Sequence, residues 1–136
     1  LGAAAKVVVI GGGSGGATAA RYLKRYDPSL DVTLIERNET YCTCYMSNEV
    51  LSGDRTLEQI SFGYEGLKKA GINVVIDEVT KVDPTAKKIT TAKGEFSYDK
   101  LIVSPGTDLK WDAIEGYTEE TATEIPHFTC SIRGYE

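Results

Sequence analysis

The stretch Lys6–Ala20, KVVVIGGGSGGATAA, carries the reading of the fold. Lys6–Ile10 is short, β-branched and almost wholly apolar, which suits a strand covered on both faces in a parallel sheet. Gly11–Gly16, GGGSGG, follows at once. Ala17–Tyr26, ATAARYLKRY, then places its apolar residues at helical spacing, and Asp27-Pro28-Ser29 stops that helix. Asp31–Glu36, DVTLIE, reads as a second strand. Strand, glycine turn, helix and strand within about 30 residues make a βαβ crossover.

Gly11, Gly13 and Gly16 occupy the G-x-G-x-x-G positions, and each answers a different demand. Gly11 permits the tight turn out of the strand. Gly13 lets a pyrophosphate approach the backbone. Gly16 lets the helix lie close to the strand. The helix start offers N–H groups and the positive end of its dipole to phosphate. Gly12, Ser14 and Gly15 complete the loop and are candidate binding residues with the other three. Glu36 lies 20 residues beyond Gly16, at the end of the second strand, where a ribose hydroxyl needs an acceptor. A carboxylate there disfavours a 2′-phosphate, although Arg37 beside it offsets part of that repulsion.

The fingerprint serves both NAD and FAD. Downstream, the region from Glu36 to about Thr56 is irregular, and Arg55–Gly71 is helical in parts. Ile72–Ile76 is a buried-type strand. Glu78–Val82, Lys88–Thr91 and Glu95–Tyr98 alternate, with turns at Asp83-Pro84 and Lys93-Gly94, and form an antiparallel meander. Lys100–Val103 is a further buried-type strand, closed by Ser104-Pro105-Gly106, and Gly106 joins the candidate cofactor contacts. A meander in this place favours FAD over NAD. The fold class expected is therefore α/β: a Rossmann-like FAD-binding βαβ unit with a parallel sheet and a small antiparallel β-meander.

Composition excludes several classes. The formal charge of −5 over 136 residues, with no basic cluster, gives no reason to expect nucleic acid or an anionic membrane surface. No apolar run approaches the roughly 20 residues that span a bilayer, and no intact signal peptide is visible. The three cysteines, Cys42, Cys44 and Cys130, are an odd number, which argues against a disulfide framework. YCTCYMSNEV, Tyr41–Val50, leaves four readings of Cys42 and Cys44 open: a metal site, a disulfide, an ordinary thiol pair, or a point of cofactor attachment. A metal lacks further ligands nearby, since His127 and Cys130 are remote. A bridge across one residue is strained.

VVVIGGGSGGATAA, VTLIERN, YCTCYMSNEV, GINVV and YDKLIVSPGT together resemble the flavoprotein disulfide reductase superfamily. Within it the chain resembles the flavoprotein subunits of flavocytochrome c sulfide dehydrogenases, from Lys6 to about His127. The more specific part is TCYMSNEV with LSGDRTLEQI. The resemblance implies FAD held by a thioether between Cys44 and the flavin 8α carbon. Cys42 departs from the pattern, in which an aromatic residue precedes. The resemblance also implies oxidation of a small inorganic sulfur substrate, sulfide, with electrons passing to a c-type cytochrome subunit in the periplasm. Such proteins are much longer, so residues 1–126 are expected to be the first part of an FAD-binding domain, inactive alone. Residues 127–136 read as an atypical tail, an artefact of truncation or frameshift. Two other readings stand beside this one. The first is a sulfide:quinone or NADH-linked flavoprotein with non-covalent FAD. The second is a non-catalytic nucleotide-binding fragment. No catalytic residue is assigned, and no metal is expected.

Overall fold

A computed structural model describes residues 3–107, 110–118 and 120–121. The expected tail at 127–136, with Cys130 and His127, lies outside the described residues. The chain divides into two compact units, one formed by the chain up to Glu39 with Gly63–Gly106, the other by Thr40–Phe62 with the chain after Gly106.

The first unit is built on a parallel sheet. β1 (Lys6–Ile10), β2 (Asp31–Glu36), β5 (Asn73–Ile76) and β9 (Lys100–Val103) lie in the order β5-β2-β1-β9. Register aligns Val9 with Leu34 and Ile102, and Ile10 with Ile35 and Val103. Successive side chains in a strand alternate between faces. Val7 and Val9 therefore face one way, and Val8 and Ile10 the other. Both sides of the centre are covered, which is why β1 and β2 read as continuous apolar runs: Val8, Val9, Val32, Leu34 and Ile35 are all buried.

Helix α1 (Ser14–Tyr26) covers the Val9 face, burying Gly16 and Ala20. It begins three residues before the expected Ala17, inside the glycine turn, because close approach to β1 requires residues without side chains there. Asp27 ends it: its N–H donates to the Leu23 carbonyl, and its carboxylate accepts from the Ser29 N–H and hydroxyl. Those two hydrogen bonds from Ser29 hold the Asp27 carboxyl below its ordinary pKa. Helix α3 (Glu65–Lys69) touches α1 and β5.

The meander covers the opposite face. β6 (Val79–Asp83), β7 (Lys88–Thr91) and β8 (Gly94–Ser97) pair antiparallel in that order, as the alternation predicted. Ile89 and Phe96 of the meander pack with Val8 and Ile35 of the sheet, and Tyr98, Val75 and Leu101 join them. Ile89 is fully buried. Ile89→Ala is therefore expected to lower the unfolding free energy by about 2–5 kcal/mol, measured by chemical denaturation. A loss well under about 1 kcal/mol would show that the meander does not seal this face. Lys93 ties the hairpin back to β5, its N–H donating to the Asp77 carboxylate and its Nζ to the Ile76 carbonyl.

Two strands expected to be buried are only half-buried. β5 and β9 are the outer strands of the described sheet, each paired on one side, and Val103 is 62% exposed. Apolar content resembles that of β1, but position in the sheet decides coverage. The Asp99 carboxylate accepts the Lys6 N–H at 2.7 Å and sets β9 against β1.

In the second unit, the segment that reads as irregular contains β3 (Thr40–Cys42), a 3-10 turn at Cys44–Met46 and α2 (Ser47–Leu51). β3 pairs with β4 (Ser61–Gly63), which interrupts a stretch expected to be partly helical. The knot of this unit is Thr43, whose N–H and hydroxyl both donate to the carbonyl of fully buried Ile60. Trp111 packs on Tyr117, ring centroids 6.0 Å apart. Among the described residues no helix is long and apolar enough to cross a membrane.

Candidate functional site

In a parallel sheet all carboxyl ends lie on one edge. Gly11 after β1, Arg37 after β2 and Ser104-Pro105-Gly106 after β9 therefore meet that edge, with β1 between its two neighbours. Open α/β sheets bind ligands outside these ends, where strand order reverses.

The first glycine is held tightly. Gly11 has φ +96°, and a Cβ on it would sit 2.0 Å from the Ser104 carbonyl oxygen. Its N–H donates to the Ile35 carbonyl at 2.9 Å. Ser104 in turn donates its N–H to the Ile10 carbonyl. The third glycine, Gly16, lies against the first: a Cβ there would be 1.8 Å from the Gly11 carbonyl oxygen and 3.3 Å from Val9 Cγ1. A Cβ on Gly15 would come within 2.8 Å of Ser104 Oγ.

Gly13 stands at the helix cap with extended backbone, and Ala17 makes the first helical bond to its carbonyl. A glycine cap supplies no side-chain acceptor for the first-turn N–H groups, and no acidic side chain occupies that turn. Ser14 and Gly15 are exposed there. This 13-residue helix thus presents its positive end without a built-in anion.

Glu36 reaches across to the turn. Its Oε2 accepts the Gly12 N–H at 2.7 Å, and its Oε1 accepts from the Asn38 N–H at 2.9 Å and the Asn38 side-chain amide at 3.1 Å. The carboxylate is therefore part of the turn's scaffold as well as an acceptor at its mouth. Arg37 and Gly106 are exposed at the same sheet edge. Gly11, Gly12, Gly13, Ser14, Gly15, Gly16 and Glu36 are thus brought together.

Two participants escaped the sequence reading. Tyr64 is buried, and its hydroxyl donates to the Gly12 carbonyl at 3.1 Å. Ser104 supplies the carbonyl against Gly11. Tyr64 lies 52 positions from Gly12, and no spacing rule links them.

In the second unit Cys42 and Cys44 are both free, partly buried thiols. Burial pushes the Cys42 thiol above its ordinary pKa, with Ser61 pulling the other way through a hydrogen bond and Cys44 adding to the rise. Cys44 opens the 3-10 turn, where its carbonyl accepts the Ser47 hydroxyl at 2.7 Å. Tyr45 is exposed, and Tyr41 is half-buried. Glu49 forms an exposed ion pair with Arg55. Among the described residues no group of three or more His, Cys, Asp or Glu is placed to hold a metal ion.

Residues 5–129 match the pyridine nucleotide-disulphide oxidoreductase family. A curated relative, the type II NADH:quinone oxidoreductase of Staphylococcus aureus, is 33% identical over 114 residues, which are 82% of this chain and 28% of the relative. The chain thus spans little more than a quarter of the length of the curated relatives it matches. Among solved structures, the sulfide:quinone oxidoreductase of Aquifex aeolicus superposes with a TM-score of 0.73 at 33% identity, covering 78% of this chain and 25% of that one. The water-forming NADH oxidase of Lactobacillus brevis superposes with a TM-score of 0.70 at 27% identity, covering 76% of this chain and 25% of that one. The resemblance read from the motifs holds at the level of the superfamily, and no flavocytochrome c subunit is among these relatives. With its parallel sheet, its glycine turn under α1 and a match over most of its length, the chain belongs to the pyridine nucleotide-disulphide oxidoreductase family.

Proposed function

We propose that this chain is the first part of an FAD-binding domain in a flavin-dependent oxidoreductase. FAD, when bound, supplies the two-electron acceptor. The turn Gly11–Gly16 and the start of α1 hold its diphosphate, Glu36 accepts from the ribose hydroxyls of the adenosine half, and Arg37 and Gly106 line the same edge. The observation that carries this reading is the Glu36 carboxylate at the Gly12 N–H, beside a helix start with no acidic side chain of its own. The glycine contacts support it too, because a side chain at Gly11 or Gly16 would fill the space the backbone needs.

Glu36→Ala tests it. The change removes the ribose acceptor and the partner of the Gly12 and Asn38 N–H groups. Hydrogen bonds to a charged group contribute about 1.5–3 kcal/mol, so ADP affinity is expected to fall at least tenfold by calorimetry. Unchanged ADP binding would remove the assignment.

The finer reading follows the motif around Cys44. It gives a thioether between Cys44 and the flavin, sulfide as electron donor, and a c-type cytochrome as acceptor in the periplasm. Cys44 is the better candidate of the pair, since burial makes Cys42 the poorer nucleophile. A second reading has equal support from the relatives: non-covalent FAD, with NADH or sulfide as donor and a quinone as acceptor. It is favoured by the likeness to a type II NADH:quinone oxidoreductase and a sulfide:quinone oxidoreductase. Stopped-flow reduction of the native full-length protein separates them. Bleaching by sulfide and reoxidation by cytochrome c, but not by a soluble quinone, is expected for the first. The reverse preference, or bleaching by NADH, selects the second.

A further inference from the structure

Gly12 is gripped by two residues far from it in sequence. Its N–H goes to the Glu36 carboxylate at 2.7 Å, and its carbonyl accepts the Tyr64 hydroxyl at 3.1 Å. The contact with Tyr64 is close on all sides. A Cβ on Gly12 would lie 2.6 Å from Tyr64 Oη and 2.7 Å from Cε1, so the ring edge lies directly beneath this residue. Tyr64 is only 6% exposed, and it caps the start of α3. Its place under the turn is therefore set by the core and not by a flexible surface side chain.

These two bonds belong to successive peptide groups. The Gly12 N–H is part of the Gly11–Gly12 peptide, whose carbonyl lies against Gly16. The Gly12 carbonyl is part of the Gly12–Gly13 peptide. In a planar trans peptide the C=O and N–H point in opposite directions. The peptide bonds here are trans. A carbonyl tied down onto Tyr64 therefore turns the Gly13 N–H away from the tyrosine. Gly13 is the cap of α1, so this N–H belongs to the group of donors at the helix start. Glycines resist rotation less than any other residue, and a run of three has no side chain to hold either peptide plane. Were the Gly12–Gly13 peptide to turn over, it would present a carbonyl oxygen, the negative end of its dipole, where a donor is needed.

We infer that Tyr64 is a positioning residue for the phosphate-binding turn: its hydroxyl fixes the Gly12–Gly13 peptide so that the Gly13 N–H faces a dinucleotide diphosphate. This rests on the proposed reading of the turn as the diphosphate site. Tyr64 touches no phosphate. It acts through the orientation of one peptide group, and Glu36 does the same for the peptide before it.

Tyr64→Phe keeps the ring that packs beneath Gly12 and removes only the hydroxyl. The test compares ADP with adenosine as probes, by NMR titration of the wild-type and variant 136-residue chain. One hydrogen bond's contribution of about 0.5–1.5 kcal/mol translates to a loss of roughly two- to tenfold in ADP affinity. Adenosine, which has no phosphate, is expected to bind both proteins equally. A variant that binds ADP as tightly as the wild type overturns the inference. So does an equal loss for ADP and adenosine, which would mark a general structural role. Wild-type chain that binds adenosine but shows no preference for ADP overturns the diphosphate reading itself, and the inference with it.

Discussion

Gly16→Ala is expected to leave the full-length protein without bound flavin and with a much lower melting temperature. The added methyl would stand 1.8 Å from the Gly11 carbonyl oxygen and 2.9 Å from its carbon. Both are backbone atoms, so no rotamer change relieves the contact. Gly11 has no room to yield. Its N–H is bonded to Ile35, its φ is +96°, and the Ser104 carbonyl closes its other side. Gly16 cannot move alone, because it lies in the first turns of α1, and Val9 Cγ1 is the next atom the methyl would meet. The helix must therefore lift from β1, which uncovers the Val9 face of the sheet. Overpacking in a fitted core costs about 1–3 kcal/mol and more where backbone meets backbone. The same movement displaces the helix start proposed to face the diphosphate, so binding and stability should fall together. Differential scanning fluorimetry and the flavin-to-protein absorbance ratio read both. A fully flavinylated variant melting within a few degrees of wild type would contradict this account of the turn.

On the proposed thioether reading, Cys44→Ser is expected to abolish acid-stable flavin entirely, while Cys42→Ser leaves it in place. Attachment through sulfur needs a thiolate, and serine cannot supply one at neutral pH. Burial raises the Cys42 thiol and keeps it protonated. The two positions also differ in setting: Cys42 ends β3, whereas Cys44 starts a turn beside the exposed Tyr45. Buried Thr43, tied twice to the Ile60 carbonyl, stands between them in the chain. Acid precipitation followed by peptide mapping across Tyr41–Val50 gives the outcome directly. Wild-type protein that releases its flavin into the acid supernatant would remove the thioether and leave the non-covalent quinone-linked reading. Loss in the Cys42 variant with retention in the Cys44 variant would reverse the assignment.

The relatives sharpen what separates the readings. Sulfide:quinone and NADH:quinone oxidoreductases appear among them, so the shared unit does not choose the electron donor or acceptor. The described residues supply the glycine turn, the start of α1 and Glu36, which are proposed to hold one half of a dinucleotide. On the proposed thioether reading Cys44 carries the flavin, and most of each longer relative lies outside the stretch that this chain spans.

Much of the fold was legible along the chain because its determinants are local. KVVVI, the glycine spacing, the Asp27-Pro28-Ser29 stop and the turn signals at Asp83-Pro84 and Lys93-Gly94 each act within a few residues. Periodicity reports which residues alternate and which run continuously apolar, so it yielded β1, β2 and the meander close to their observed bounds. Gly11, Gly13, Gly16 and Glu36 stand out as candidates because strand length and helix length determine where they fall. What a linear pattern does not carry is which strand lies beside which. INVVI and KLIV look as buried as KVVVI, yet β5 and β9 lie at the outside of the described sheet and are half-covered. The short strands β3 and β4 were missed because three residues are too few to show a period. Tyr64 under Gly12 and the Ser104 carbonyl against Gly11 are contacts across 52 and 93 positions, created when β9 and α3 pack beside the crossover. The sequence alone determined that a glycine turn would follow a buried strand and that an acid would stand beside it. Only the tertiary structure decided what holds that turn, because hydrogen bonds and close contacts between distant segments depend on packing that no local spacing records.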